Sequence, residues 1–429
     1  MITSEYTTAG MRIRDHQVTV PLDWVQPDER TLTIFARELC SAEKAGQELP
    51  IMLYLQGGPG GKGPRPVDTS GWIGEALKTH RVLLLDQRGT GKSGRITAAS
   101  MGRFASAADG AEYLGHFRAG SIVSDAEFLR KEVFGGRKWS TLGQSYGGFL
   151  TLTYLSRAPE ALDACFIAGG LPSLKPNALE VYKRTYVRTK AKNGQFYERY
   201  PHHVETLAKI ADRLAVGDVL LPDGDVLTVR RFQSLGIDFG MKPGFERMAW
   251  LIDEAFDANG ELTDALLAQV LARSNYADNP LFAVMQESIF ADGQSGATAW
   301  AAQREIANHP EFAETARPLL MTGEMMYPWM FEEIRLLKPF ADAVNEMARR
   351  DDWGPLYDRR KLAENKVPVS AVVYHDDMYV DAQLSLETAS AVGNLCAWVT
   401  NEFEHDGISA PVVFPRLKSM VDEMGGSLD

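Results

Sequence analysis

Short apolar runs, each closing on glycine or polar residues, recur along this chain: PIMLYLQ, RVLLLDQ, WSTLGQ, ACFIAGG and VPVSAVVYHDD. Each is long enough for one buried strand and too short for a helix. In a parallel sheet, function collects where such runs end. Helical patterns fall between them, AEFLRKEVFG before the third run and GGFLTLTYLSRAP after it. Nearer the start, MRIRDHQVTV and LTIFAREL alternate at about period two around the turn-rich VQPDER, which reads as two further strands. LCAWVTN is strand-like and LKSMVDEM helical near the end. This alternation predicts an α/β fold with a mostly parallel central sheet. After Leu171-Pro172 the alternation stops. Helical periodicity takes over, as in ALLAQVLARS and EEIRLLKPFADAVNEMARR, until strands resume at Val367. The predicted organisation is a core in two parts, residues 1–172 and 366–429, with a mainly helical cap inserted at 173–365.

Composition narrows the function class. The 429 residues are 45% hydrophobic and 24% charged, an ordinary globular balance. The net charge is −12 with no dense Lys/Arg block, which argues against nucleic acid. Cys40, Cys165 and Cys396 are far apart and form no Cys-x-x-Cys pair, so buried free thiols are expected rather than disulfides or a cysteine metal site. The opening MITSEYTTAGMRIRDHQ carries no signal-like apolar run, and no stretch of about 18 apolar residues occurs. A cytoplasmic protein without membrane contact is expected. LLLDQRGTGKSG resembles a phosphate loop only in part. The glycine required before Gly91-Lys92-Ser93 is replaced by Asp86, so no nucleotide site is read there.

The strongest chemical signal is Gly143-Gln144-Ser145-Tyr146-Gly147, set between a predicted strand and a predicted helix. A Gly-x-Ser-x-Gly turn there strains the serine backbone and lifts its hydroxyl above the sheet. Serine needs a base. Of the 8 histidines, His405 alone fits the order serine, acid, histidine, late in the sheet. The acid is expected in the loop after VPVSAVVY, at Asp376 or Asp377. An oxyanion hole also requires two amides. Tyr146, after the nucleophile, supplies one, and the glycine turn LYLQGGPGG supplies the other at Gly58.

In their order, QGGPG, DQRGTGKS, GQSYGG and a late Asp and His resemble the prolyl aminopeptidase (proline iminopeptidase) family, which belongs to the α/β-hydrolases. Gln56 stands where that family usually has histidine, and YHDDMYVD replaces its usual acid loop; both departures resemble a longer-chain branch. The resemblance implies an α/β-hydrolase fold with a helical cap, and Asp377 as the acid. It also implies that cap glutamates bind the substrate amino group. Glu287 in FAVMQESIF and Glu324 in LLMTGEMMYPW sit in apolar surroundings and match that role. An apolar slot for the substrate ring is expected from Phe149, Phe282, Phe290, Tyr327 and Trp329. The implied activity is release of N-terminal proline from short peptides through an acyl-enzyme, with no metal or organic cofactor. Another hydrolase specificity, or a binding protein on the same scaffold, is the alternative. Asp86 and Arg88 are expected to pair and fix neighbouring loops.

Overall fold

The computed structural model describes residues 1–425. Its centre is one 9-stranded sheet in the order β1-β2-β3-β5-β4-β6-β7-β8-β9. β1 (Ile2–Thr8), β2 (Met11–Pro21) and β3 (Thr31–Ser41) pair antiparallel, and β3 joins β5 (Arg81–Asp86) the same way. From β5 onward every pairing is parallel, through β4 (Ile51–Leu55), β6 (Trp139–Gln144), β7 (Leu162–Ala168), β8 (Val369–Tyr374) and β9 (Leu395–Thr400). This is the mostly parallel α/β sheet that the run pattern predicts.

Every residue of β4 and β8 is buried, as expected of strands covered on both faces. Alternate side chains feed two cores. Leu53, Leu83, Leu85 and Ile167 pack toward the helices Ala119–Phe134 and Tyr146–Arg157. Met52, Tyr54, Leu84 and Phe166 pack toward Gly71–Leu77 and Val413–Glu423. All seven residues of β1 are exposed. It has no buried face and so no apolar alternation, which is why the sequence pattern passes over it. Its register is set by the tight Ala9-Gly10 turn, with φ of 46° and 77°.

Between β7 and β8 the chain leaves the sheet. The cap begins with the long helix Ala178–Arg199 and has its own core of Phe196, Ile210, Phe232, Phe239 and Met248. Met378 and Tyr379, from the loop after β8, are part of that core. The last turn of the insertion, Arg359–Ala363, lies on Tyr146–Arg157, where the Asp358 amide donates to Ser156 Oγ at 3.1 Å. The periodic stretch 332–350 is not one helix. Met330–Glu333 and Ala341–Arg349 are separate, with a turn at Lys338–Phe340. The break falls at Ile334, whose ψ of 113° is extended, and Pro339 sits in the first turn of the second segment, where its missing amide is tolerated. Cys40 and Cys165 are buried, but Cys396 is exposed, because β9 is an edge strand. Among the described residues no helix is long and apolar enough to cross a membrane.

The expected Asp86–Arg88 pair does not form. Arg88 donates to Asp125 at 2.7 and 2.5 Å and to the carbonyls of Leu22 and His116 at 2.7 and 2.9 Å. Asp86 instead accepts from Arg65 at 2.9 and 2.6 Å and from the amides of Gly63 and Lys92. β5 ends at Asp86. The chain then turns, so the two charges leave toward different elements. Ser93 closes the same turn, donating to the Asp86 carbonyl at 2.6 Å and accepting from the Phe35 amide at 2.8 Å. The Gly-Lys-Ser stretch is therefore a structural latch.

Candidate active site

Ser145 sits between the last residue of β6 and the first of Tyr146–Arg157, with φ 54° and ψ −125°. A left-handed φ on serine costs about 1–3 kcal/mol and persists only where surrounding packing enforces it. Here the enforcement is close approach. A Cβ on Gly147 would come 1.9 Å from the Leu55 carbonyl oxygen, and one on Gly143 would come 2.3 Å from that of Gly147. Only glycine permits helix and strand to cross this near, so both glycines of the motif are sterically required. The Ser145 amide is held by the Ala168 carbonyl at 2.9 Å. The side chain is almost enclosed, with the residue 7% exposed.

Asp377 follows β8. One of its oxygens, Oδ1, accepts from the amides of Tyr379 and Val380 at 2.8 and 3.1 Å. The other, Oδ2, lies 2.6 Å from His405 Nδ1. This leaves the far ring nitrogen of His405 free to face elsewhere. The Gly169-Gly170 bend after β7 lies against both other members: a Cβ on Gly170 would meet the Ser145 carbonyl oxygen, and one on Gly169 would meet His405 Nδ1 at 3.3 Å. Gln144, beside the serine, reaches the His405 carbonyl at 3.4 Å. Asp376, the alternative acid, is half-buried and bonds His375 instead. Burial alone pulls the His405 imidazolium down. The carboxylates of Asp377, Glu324 and Asp406 outweigh it and raise its pKa.

Gly58 has φ 127°, and among the described residues no backbone carbonyl accepts from its amide. The cap covers this turn: Asn279 Nδ2 donates to the Pro59 carbonyl at 3.4 Å, and Leu281 lies against Gly60. Tyr146 begins a 12-residue helix, so its amide belongs to the end of the helix dipole that favours negative charge.

The cap carries the two glutamates expected to bind the substrate amino group, and of these Glu324 acts on His405. Glu324 is partly buried; burial raises its pKa to about 8, against the pull of His405. Glu287 is buried and raised to about 7, again chiefly by burial. Its Oε1 accepts from the Ala302 amide at 3.0 Å, while Oε2 has no partner. Tyr182 stands in the field of both carboxylates. Its hydroxyl, Gln286 Oε1 and Thr322 Oγ1 are likewise buried without partners. Such groups are costly when left unsatisfied. Tyr182 and Gln286 carry no sequence signal beyond their neighbourhood, and the sequence reading misses both.

Phe149 packs edge-on against Tyr146 and Phe290, each at 5.7 Å. Phe282 stacks on Tyr276. Tyr327 and Trp329 form a separate stack at 5.9 Å and line a cap cavity of about 380 Å³ with Arg230, Gln233 and Phe312. Arg230 covers the Trp329 ring at 5.1 Å. The five expected slot residues thus fall into three groups, and only Phe149 and Phe290 cluster with Tyr146 beside the serine.

Residues 50–207 match the family described as alpha/beta hydrolase fold. A proline iminopeptidase of Aeromonas sobria is 45% identical over 405 residues, covering 94% of this chain and 94% of its own. A second proline iminopeptidase, of Aspergillus aculeatus, is 34% identical over 426 residues, covering 96% of this chain and 94% of its own.

Proposed function

The chain belongs to the proline iminopeptidase family of α/β-hydrolases, and from that membership we propose how its residues divide the work. The protein is a serine aminopeptidase that releases N-terminal proline from peptides. In our reading Ser145 attacks the carbonyl of the first residue while His405 takes its proton. Asp377 holds the imidazole tautomer and stabilises the imidazolium. The amides of Gly58 and Tyr146 receive the oxyanion. His405 then protonates the departing amine, and water resolves the acyl-enzyme. The substrates are short peptides, because the cap lies over the glycine turn.

One observation supports the amino-group assignment above all. Glu287 and Glu324 are carboxylates at least partly withdrawn from water, and among the described residues neither forms an ion pair with Lys or Arg, Arg304 acting on Glu287 only from beyond ion-pair distance. A desolvated anion needs a cation. The substrate ammonium supplies it. Phe149, Phe290 and Tyr146 offer the apolar surface for the ring.

Glu287→Gln and Glu324→Gln test this. A charge-assisted bond is worth about 1.5–3 kcal/mol, so each variant is expected to lose about 10- to 150-fold in kcat/KM on prolyl arylamides. Hydrolysis of a simple acetyl ester, which has no ammonium, is expected to stay within about threefold. Parallel loss on both substrates contradicts the assignment.

The raised carboxyls also set a pH dependence. A carboxyl ionises as pH rises, so capacity for the ammonium is gained through about 7 for Glu287 and about 8 for Glu324. The raised His405 must likewise lose its proton to act as base. Measured as kcat/KM against pH, activity on prolyl arylamide is expected to climb between these values and to be low in acid. Glu324→Gln is expected to remove the uppermost part of that climb. The stability sign is opposite. The folded pKa of Glu324 lies above its ordinary 4.5, so its favourable contribution is complete below 4.5 and is lost as pH rises through about 8. Glu324→Gln is therefore expected to raise the unfolding temperature at pH 8–9 relative to the parent.

A further inference from the structure

The loop Glu402–Asp406 is fastened to the cap along its length. The Gly240 carbonyl accepts from the His405 amide at 3.0 Å. The Lys242 amide donates to Asp406 at 3.0 Å, and its ammonium donates to the Glu402 carbonyl at 3.1 Å. At the centre Lys192, from the long cap helix Ala178–Arg199, places its ammonium 2.6 Å from both carboxylate oxygens of Glu404. Lys192 is 3% exposed and the Glu404 side chain 22%, so the cation is sealed from water and the pair is largely buried. Glu404 directly precedes His405 in the chain. The acid loop is gripped from the same side: the Tyr379 hydroxyl donates to the Ile237 carbonyl, and Arg188 reaches Asp381 at 3.4 Å. The Tyr379 ring lies 4.6 Å from the His405 ring.

We propose that Lys192 is a positioning residue for the base, its ion pair with Glu404 making the seating of the cap a condition for His405 to face Ser145. The inference rests on His405 being the base. The imidazole is fixed from one end by Asp377, which sets the ring, and from the other by its own backbone, which the cap sets. A buried ion pair that loses one partner leaves a charge that seeks water. With Lys192 removed, Glu404 turns outward and carries the adjacent Cα of His405 with it. The substrate subsite does not contain Lys192, so binding is spared while the approach of base to hydroxyl is spoiled. A displacement of about 1 Å in such a constellation costs about 100-fold in rate.

The test uses Lys192→Met and Lys192→Arg in the full chain, with steady-state kinetics on prolyl arylamide and a thermal unfolding curve for each. Lys192→Met is expected to lower kcat by about 30- to 100-fold, with KM within about twofold of the parent. Lys192→Arg keeps a cation on Glu404 and is expected to recover kcat to within about threefold. A folded Lys192→Met variant with kcat within about twofold of the parent overturns the proposal. If that variant shows no cooperative unfolding, Glu404→Gln is read in its place, with the same split expected. Unfolding of both variants also overturns it, since the pair is then a folding element and nothing more. His405→Ala separates the two levels. Turnover surviving in His405→Ala removes the assignment of the base. An inactive His405→Ala beside a fully active Lys192→Met removes only the positioning role.

Discussion

Ser145→Ala is expected to lower kcat on prolyl arylamide by about 10⁴- to 10⁶-fold while leaving KM nearly unchanged. The hydroxyl is the only atom the substitution removes. The Gly58 and Tyr146 amides stay in place, as do the cap carboxylates, so the ground-state complex keeps its contacts. Stability is expected to change little. The φ of 54° is imposed by the crossing at Gly143 and Gly147, and alanine inherits the same strain as serine. An unfolding temperature within a few degrees of the parent, beside that loss of turnover, separates removal of the nucleophile from damage to the turn. Asp377→Asn is expected to follow with about 10⁴-fold in kcat, because an amide in place of the carboxylate offers the His405 ring the wrong tautomer. Retained turnover in the Ser145 variant, checked by single-turnover assay to exclude wild-type carry-over, sinks the mechanism.

The largest expected stability loss lies away from the site. Arg88 and Asp125 are 0% and 1% exposed and are joined by two hydrogen bonds, with Trp24 Nε1 donating to the same carboxylate at 2.8 Å. Burial already raises the Asp125 carboxyl even with Arg88 beside it. Arg88→Met takes away the cation and strands that carboxyl, together with the carbonyls of Leu22 and His116. The expected cost is about 3–5 kcal/mol of unfolding free energy, measured by denaturant titration. Replacing both members, as Arg88→Met with Asp125→Leu, is expected to recover a large part, since apolar pairs of similar volume often match buried ion pairs. Turnover per folded molecule is expected to remain near the parental value. A single variant as stable as the parent contradicts the buried-pair account.

The parallel strands were legible because burial on both faces leaves unbroken apolar runs such as RVLLLD and VSAVVY. The Gly-x-Ser-x-Gly turn was legible because steric demand at Gly143 and Gly147 leaves almost no choice of residue. β1 was not, because a strand exposed on every residue has no pattern to read. The split of 332–350 was not, because the break falls at Ile334, an apolar residue with no turn signal, and Pro339 marks only the start of the second segment. The Asp86–Arg88 expectation failed for a general reason. Neighbours in sequence look like partners, yet the competing partners Arg65 and Asp125 are brought in by other elements, and nothing local announces them. Lys192 is the same case. On its helix it reads as one lysine among several, and only the three-dimensional path of the chain sets it against the residue before His405. Glu287 and Glu324 stood out because each interrupts an apolar stretch, whereas Tyr182 and Gln286 merge into theirs.

Activation of Ser145 by His405 and Asp377 is read directly by covalent labelling. Full-length protein treated with a fluorophosphonate probe, digested and mapped by mass spectrometry, is expected to carry one adduct on the peptide containing Ser145. His405→Ala is expected to take up almost none over the same interval. Active protein that leaves Ser145 unmodified, or equal labelling with and without the imidazole, contradicts it.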